Sequence, residues 1–219
     1  MKNVAVILSG CGYLDGAEIR ESVLTLLALD SEGAQYKIFA PNKTQYHVVD
    51  HLKGDEVTGA TRNVLEESAR IARGKIEDLV NLNENDFDAL VIPGGLGVAK
   101  NMCSFLFHGS GASVDEQVVT RIRDFKAAGK PIGAVCIAPA LVALSIGDDH
   151  PTLTIGNEEG IAGELEKLGA KHEVCATSEC VVDESNKVVS TPAYMDDDAS
   201  LADVFSGISK LVGHVIRLA

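Results

Sequence analysis

Residues 130–144 read KPIGAVCIAPALVAL, a cysteine between two apolar segments. Residues 132–135 form an apolar run of strand length, and residues 137–144 have the composition of a buried helix, so Cys136 lies in a sharp turn between a strand and a helix. In that position the helix directs unpaired backbone N–H groups and the positive end of its dipole at the sulfur. Both effects favour a thiolate over a thiol. The position therefore predicts that Cys136 is a nucleophile rather than an inert buried cysteine.

Along the rest of the chain, apolar runs of strand length alternate with segments of helical period. This alternation predicts an α/β fold with a doubly wound, mostly parallel sheet flanked by helices, in one domain over residues 1–219. The predicted strands cover residues 4–8, 36–40, 87–92, 132–135, 153–155, 180–182 and 188–191. The predicted helices cover 17–29, 61–73, 114–128, 137–144, 159–168 and 198–217. Thr61 is predicted to cap the second helix and Asp196–Asp198 the last one. A hairpin is predicted within 42–61 and a Gly-rich loop at 106–113.

Composition and charge restrict the partners. The chain has 219 residues, a net charge of -13 and a hydrophobic fraction of 46%. This acidic field argues against nucleic acid and against anionic membrane surfaces, and it leaves small neutral or weakly charged substrates open. Five scattered cysteines are typical of a reducing compartment. No apolar run approaches the ~20 residues of a membrane-spanning helix, and the first apolar run is too short for a signal peptide, so a cytoplasmic protein is expected.

Ligands of a doubly wound sheet bind beyond the carboxyl ends of its strands. The first strand is followed there by a loop with Cys11 and by a helix with Glu18 and Glu21 near its start. Two negative charges do not form easily side by side in a partly desolvated site, so a glutamic acid beside a thiolate is expected to stay protonated. This pairing would raise the pKa of the acid and lower that of the thiol. The two acids are three residues apart on one helix, so spacing alone does not choose between them.

Backbone N–H groups are expected to complete the site. Gly94 and Gly95 follow a predicted central strand, and their lack of a Cβ lets the backbone approach a ligand. They would form one half of an oxyanion hole and the N–H of Ile137 the other half. Cys11 is a candidate second oxidisable thiol at the pocket mouth. No metal or cofactor is expected, because the histidines lack companion ligands and residues 10–16 lack the spacing and acid of a dinucleotide-binding loop.

Three motifs, in chain order, resemble those of the PfpI superfamily of class I glutamine-amidotransferase-like domains: Gly16–Glu21, Pro93–Gly95 and Ala134–Pro139. Further matches narrow the resemblance to the ElbB branch over essentially the whole length; they are Ser9–Gly12, Thr61–Leu65, Thr154–Gly156 and Thr191–Met195. The resemblance implies a flavodoxin-like fold, a cofactor-independent glyoxalase activity, a link to isoprenoid biosynthesis and a homodimer. It also implies that Glu21, in preference to Glu18, is the acid paired with Cys136.

The sequence departs from protease-like members of the superfamily, which have a His directly after the elbow cysteine, where this chain has Ile137. His150 is the nearest candidate for the His of other relatives. The leading hypothesis is a lyase that converts the dicarbonyl glyoxal to glycolate through a hemithioacetal on Cys136, with Glu21 as the acid and base. Alternatives are a protein deglycase, a non-catalytic redox sensor or binding protein with a reactive cysteine, and an amidotransferase subunit, against which the missing His counts.

Overall fold

A computed structural model describes all residues of the chain, 1–219. Its strands are β1 (Asn3–Ile7), β2 (Gln35–Ala40), β3 (Val49–Asp50), β4 (Asp55–Glu56), β5 (Ile76–Asp78), β6 (Ala89–Ile92), β7 (Ile132–Val135), β8 (Thr152–Leu153), β9 (Lys171–His172), β10 (Val181–Asp183) and β11 (Val188–Thr191). Its α-helices are α1 (Ile19–Ser31), α2 (Val64–Ile71), α3 (Phe105–His108), α4 (Glu116–Ala127), α5 (Ala138–Ile146), α6 (Glu159–Lys167) and α7 (Leu201–Leu218).

The main sheet has seven strands in the order β10-β11-β7-β6-β1-β2-β5. All neighbours in it are parallel except β10 and β11, which are antiparallel at one edge. Helix α1 contacts α2 and α7 in one layer, while α5 contacts α4 and α6 in another. The predicted doubly wound, mostly parallel α/β fold is therefore confirmed. None of the helices combines the length and the apolarity that a bilayer crossing requires.

The central strands β11, β7, β6 and β1 hold the core and place the candidate site. Their residues are almost all buried, as expected where helices cover both faces of a parallel sheet. Strand order reverses between β1 and β6, because the chain first adds β2 and β5 on one side of β1 and then β6 on the other. Such a switch point leaves a crevice at the carboxyl ends of the strands, where ligands of this class of fold bind.

The minor strands differ in part from the sequence prediction. The predicted hairpin within residues 42–61 is present as β3 and β4, which pair antiparallel. The predicted strand at 153–155 corresponds to β8, which pairs with β9 in a separate two-stranded sheet rather than in the main one. Strands β5 and β9 were not predicted, because two or three residues are too few to display a period.

Two predicted helix caps are wrong. Asn63 caps α2 in place of Thr61, and Ser200 caps α7 in place of Asp196–Asp198. Each helix begins later than its apolar pattern predicts, so a polar residue further along accepts the free N–H groups of the first turn. Residues 106–113, predicted as a loop, include most of α3 and a 3-10 turn.

Two glycines inside helices test how tightly α7 packs. At Gly207 of α7, an added Cβ would lie 2.3 Å from the Thr177 carbonyl oxygen and 2.5 Å from Thr191 Oγ1, whereas at Gly163 of α6 it would meet nothing within 4 Å. Alanine raises helix propensity by about 1 kcal/mol at either position. We expect G163A to stabilise the protein by up to that amount, and G207A to destabilise it by about 1–3 kcal/mol because the packed backbone must move.

Urea unfolding followed by circular dichroism would give both free energies of unfolding. Equal stabilisation by the two substitutions would contradict the close seating of α7 on β11.

Candidate active site

Cys136 occupies the predicted turn between β7 and α5. Its backbone has a positive φ of 60°, and its N–H donates to the Thr191 carbonyl at 2.9 Å. A left-handed conformation at a non-glycine residue costs about 1–3 kcal/mol and persists only where the surroundings hold it. The side chain is 7% exposed. The thiol is therefore fixed in a strained turn at the carboxyl edge of the sheet, with little access to solvent.

Glu21 is the acid that contacts this thiol. Its side chain has no exposed surface, although it lies in the first turn of α1. One carboxyl oxygen, Oε2, accepts the Gly94 N–H at 3.0 Å, and the other, Oε1, accepts the Tyr194 N–H at 3.1 Å. The Cys136 side chain lies close enough to the same carboxyl for each group to shift the pKa of the other. The ends of β6, β7 and β11 and the start of α1 thus meet on a single carboxyl group.

Burial decides the protonation state of Glu21. It raises the pKa of the carboxyl to about 8 from an ordinary 4.5, the charge of Glu18 adds to this rise, and hydrogen bonds from Tyr194, Cys136 and Gly94 oppose it. The carboxyl is therefore mostly neutral at pH 7, because desolvation disfavours its charged form. This direction agrees with the one predicted from the sequence.

The pKa of Cys136 moves in the opposite direction from the prediction. Burial, and then the negative charge that Glu21 carries once ionised, raise the thiol pKa well above its ordinary value. Hydrogen bonds from the Gly95 and Ile137 N–H groups lower it, but by less. Those N–H groups favour the thiolate, as predicted, but the sulfur is buried, and burial outweighs them. Since Glu21 is mostly neutral at pH 7, its charge opposes the thiolate only at higher pH.

The two glycines after β6 have separate functions. Gly95 has φ +98° and directs its N–H at the Cys136 sulfur, as Ile137 does from the start of α5. Gly94 donates its N–H to Glu21, so it positions the acid and is not a free oxyanion donor as the sequence predicted. A Cβ at Gly94 would lie 2.4 Å from Cys136 Cβ and 2.6 Å from Glu21 Oε2. Only glycine therefore fits between the two side chains.

Glu18 does not contact the thiol. It is the N-cap of α1, and its Oε2 accepts the Glu21 N–H at 2.6 Å. Burial raises its pKa, and the hydrogen bonds that it accepts from the N–H groups of Glu21 and Arg20 oppose that rise. Of the two acids, Glu21 is therefore the one that lies beside Cys136.

The other two candidate residues, Cys11 and His150, form no hydrogen bond with Cys136 or Glu21. Cys11 is partly exposed, and burial raises its thiol pKa, with Glu67 of α2 as the next cause. His150 is exposed and its Nδ1 lies 2.9 Å from the Gly169 carbonyl oxygen. It follows the C-terminal end of α5, a helix of nine residues and so about 13 Å long, whereas Cys136 precedes the N-terminal end. The structure therefore does not bring His150 to Cys136.

The sequence did not indicate two residues, Tyr194 and Asp15, that shape the candidate site. Tyr194 supplies a backbone N–H to Glu21, and the preceding Ala193 has a positive φ of 45°. Asp15 is fully buried in the loop after β1, where its Oδ2 accepts the Val49 N–H at 2.8 Å and joins the loop to the β3–β4 hairpin. The sequence placed residues 192–195 at the correct edge, but which N–H reaches the acid depends on turn geometry. No group of three or more His, Cys, Asp or Glu side chains is arranged to hold a metal ion.

Comparison with known proteins identifies relatives over the whole chain. No family model matches. The chain is 45% identical to the Homo sapiens protein named glutamine amidotransferase-like class 1 domain-containing protein 3, mitochondrial, over 98% of this chain and 82% of that protein. It is 43% identical to the Rattus norvegicus ES1 protein homolog, mitochondrial, over 98% of this chain and 83% of that protein.

Solved structures similar to this chain include relatives of the same kind. An Ehrlichia chaffeensis isoprenoid biosynthesis protein with an amidotransferase-like domain superimposes with a TM-score of 0.93 at 44% identity, over 100% of this chain and 99% of that one. A DJ-1 superfamily protein from Agrobacterium tumefaciens has a TM-score of 0.57 at 18% identity, over 99% of this chain and 89% of that one. At that identity the likeness is one of fold alone.

The predicted cytoplasmic localisation is contradicted, because the human and rat relatives and the Danio rerio ES1 protein are all named as mitochondrial. The prediction rested on scattered cysteines and on a short first apolar run. Those features argue against an oxidising compartment, but they do not distinguish one reducing compartment from another.

The motifs that suggested the PfpI superfamily are supported by this wider similarity, and the resemblance is confirmed. The identity with the human and rat proteins extends over nearly the entire sequence, and the solved neighbours share its sheet and helices. The chain belongs to the ES1 family of glutamine amidotransferase-like class 1 domain proteins.

Proposed function

We propose that this protein is a glutathione-independent, cofactor-independent glyoxalase that converts glyoxal to glycolate. One observation carries the proposal: a wholly buried Glu21, whose pKa is raised to about 8, lies beside the Cys136 thiol, whose sulfur also receives two backbone N–H groups. Together these groups supply a nucleophile, a proton carrier and anion stabilisation, which are what an aldehyde addition followed by a proton shift requires.

In the first step, Cys136 sulfur attacks one aldehyde carbon of glyoxal. The S–H bond breaks as the C–S bond forms, the Glu21 carboxylate takes the thiol proton, and the carbonyl π electrons move to oxygen. Glu21 then gives that proton to the oxygen, so that a hemithioacetal forms and Glu21 is again a carboxylate. The N–H groups of Gly95 and Ile137, which donate to the Cys136 sulfur before the reaction, would stabilise the oxyanion. Each such donor is worth roughly 2.7–4 kcal/mol in the barrier in well-studied enzymes.

In the second step, Glu21 moves a proton between the two carbons. As a carboxylate it removes the proton from the carbon bonded to sulfur, and the resulting enediol takes a proton back at the other carbon. The first carbon is thereby oxidised to a thioester and the second reduced to a hydroxymethyl group, so no external oxidant or reductant is needed. Water then hydrolyses the thioester, releasing glycolate and restoring the thiol.

The small exposed area of Cys136 favours this proposal over its alternatives. A thiol that is 7% exposed admits a two-carbon dialdehyde more readily than a glycated side chain on another protein, as a deglycase requires. A redox sensor needs an accessible thiol of low pKa, whereas burial raises the pKa of Cys136. Amidotransferase chemistry requires a His beside the cysteine, and His150 lies beyond the far end of α5.

We also propose a homodimer. Three apolar side chains of α1, spaced four residues apart, form one exposed stripe, in which Ile19 is 44%, Val23 49% and Leu27 47% exposed. Such a stripe on the surface of a folded protein is typical of a protein-protein interface.

Replacing Cys136 by Ala should abolish glyoxal turnover, with a loss of about 10³-fold or more, because no other group can form the hemithioacetal. Glycolate formation from ¹³C-labelled glyoxal without glutathione, followed by NMR, would measure it. Cys11→Ala is the matched control and should keep its activity, because that thiol does not contact Glu21. Unchanged turnover in the Cys136 variant would refute the mechanism.

Replacing Glu21 by Gln should separate adduct formation from product release. The amide has no carboxylate charge to oppose the thiolate, so the pH midpoint for alkylation of Cys136 should fall. Turnover should drop by about 10²–10⁴-fold because the proton carrier is lost. Both quantities can be measured on the same preparation, by iodoacetamide labelling against pH and by glycolate formation.

Glu18→Gln is the control for that experiment, since its amide oxygen can still accept the Glu21 N–H. We expect it to keep most of the activity. Full glyoxal turnover by E21Q, or a loss of turnover in E18Q alone, would mean that Glu18 carries the proton.

The dimer is tested by replacing Val23 with Glu, which places a charge in the centre of the apolar stripe. Sedimentation velocity should give a dimer for the wild type and a monomer for V23E. Val80→Glu, at another exposed apolar position, should leave the dimer intact. A monomeric wild type would exclude the proposal.

A further inference from the structure

The turn after β11 closes the candidate site from the side opposite Gly94. It begins after Thr191, and Ala193 within it is fully buried with a positive φ of 45°. The next residue, Tyr194, donates its backbone N–H to Glu21 Oε1 at 3.1 Å. A strained turn of this kind persists only where several contacts restrain it. The position of the Glu21 hydrogen bond therefore depends on whatever holds this turn in place.

Arg20 holds the outer side of the turn. It directly precedes Glu21 on α1, and its Nη1 donates to Tyr194 Oη at 3.2 Å. Its guanidinium carbon lies 5.8 Å from the centre of the Tyr194 ring. The same tyrosine thus contacts α1 twice, through its backbone N–H to Glu21 and through its hydroxyl to Arg20.

We propose that Arg20 and Tyr194 are positioning residues, whose side-chain contact clamps the turn after β11 onto α1 and so keeps the Tyr194 N–H on Glu21. Neither side chain is assigned a contact with substrate. The importance of the clamp for turnover rests on the proposed glyoxalase function, whereas its effect on Glu21 does not.

The clamp has a measurable electrostatic consequence. The ionisable groups that face the Glu21 carboxyl are Glu18 from α1 and Cys136 from the elbow, and the Tyr194 N–H faces it from the turn. An N–H that donates to a carboxyl stabilises its charged form, so this contact lowers the pKa of Glu21. Loosening the clamp should weaken that hydrogen bond. The pKa of Glu21 should then rise further above its value of about 8.

The test is a ¹³C NMR titration of the Glu21 carboxyl in full-length protein. The C136A background removes the thiol that titrates together with Glu21, and the resonance is assigned by its absence after E21Q. We expect Tyr194→Phe and Arg20→Ala each to raise the midpoint by about 0.5 pH unit, a shift large enough to resolve by titration. The double variant should shift the midpoint no further, since each substitution removes the same hydrogen bond between Arg20 and the Tyr194 hydroxyl.

Three comparisons separate positioning from other effects. Y194F removes only a hydroxyl and changes no charge, so its shift does not arise from loss of the Arg20 charge. Arg20→Lys can still donate to the phenol and should recover most of the wild-type midpoint. Arg217→Ala, at an exposed position on α7, should shift nothing.

An unchanged midpoint in Y194F would overturn the proposal, as would additive shifts in the double variant. In protein that retains Cys136, the pH-rate profile for glyoxal should move to higher pH in Y194F and R20A, with wild-type behaviour in R217A. If the NMR shift is present and the wild type does not turn over glyoxal, the clamp stands and the glyoxalase proposal fails. If wild-type turnover is normal and the NMR shift is absent, the clamp fails and the glyoxalase proposal stands.

Discussion

The structure depends on the burial of one carboxyl group. Glu21 has no exposed surface, and a carboxyl in that position must have its hydrogen-bonding atoms satisfied and must avoid carrying an unpaired charge. Backbone N–H groups from the ends of β6 and β11 meet its two oxygens, and the Cys136 thiol meets the same group from the end of β7. The neutral acid is the form that this environment favours. The proposed nucleophile and the proposed proton carrier are therefore held side by side.

The sheet order explains why such a unit forms where it does. Strands β11, β7, β6 and β1 are neighbours in the sheet, and all run in the same direction. Their ends therefore open into the same crevice, with the reversal of strand order between β1 and β6 at its centre. Segments that are distant in the chain, at residues 16–21, 93–95, 134–139 and 191–195, meet there. The catalytic candidates are thus consequences of topology as much as of local sequence.

Sequence reasoning succeeded where a residue's surroundings are local. Strand β7 and the elbow at Cys136 were predicted with correct bounds, because a short apolar run between Pro131 and an apolar helix is typical of a buried strand. Glu21 was preferred to Glu18 by family resemblance alone, since residues three apart share one face of a helix. The remaining features of the site could not be predicted from the sequence. The raised thiol pKa of Cys136, the Tyr194 contact and the distant placement of His150 each depend on how separate segments pack.

The absence of a side chain at Gly94 has a consequence for how the site can change. At this point the main chain of Gly94 packs against both Cys136 and Glu21, with no room for even a methyl group. The width of this part of the pocket is thus a property of the route that the backbone takes between β6 and the following loop. Side-chain substitution can narrow the entrance or alter its polarity, but it cannot enlarge the space at the sulfur. Evolution or engineering toward a bulkier electrophile would first have to reroute that loop.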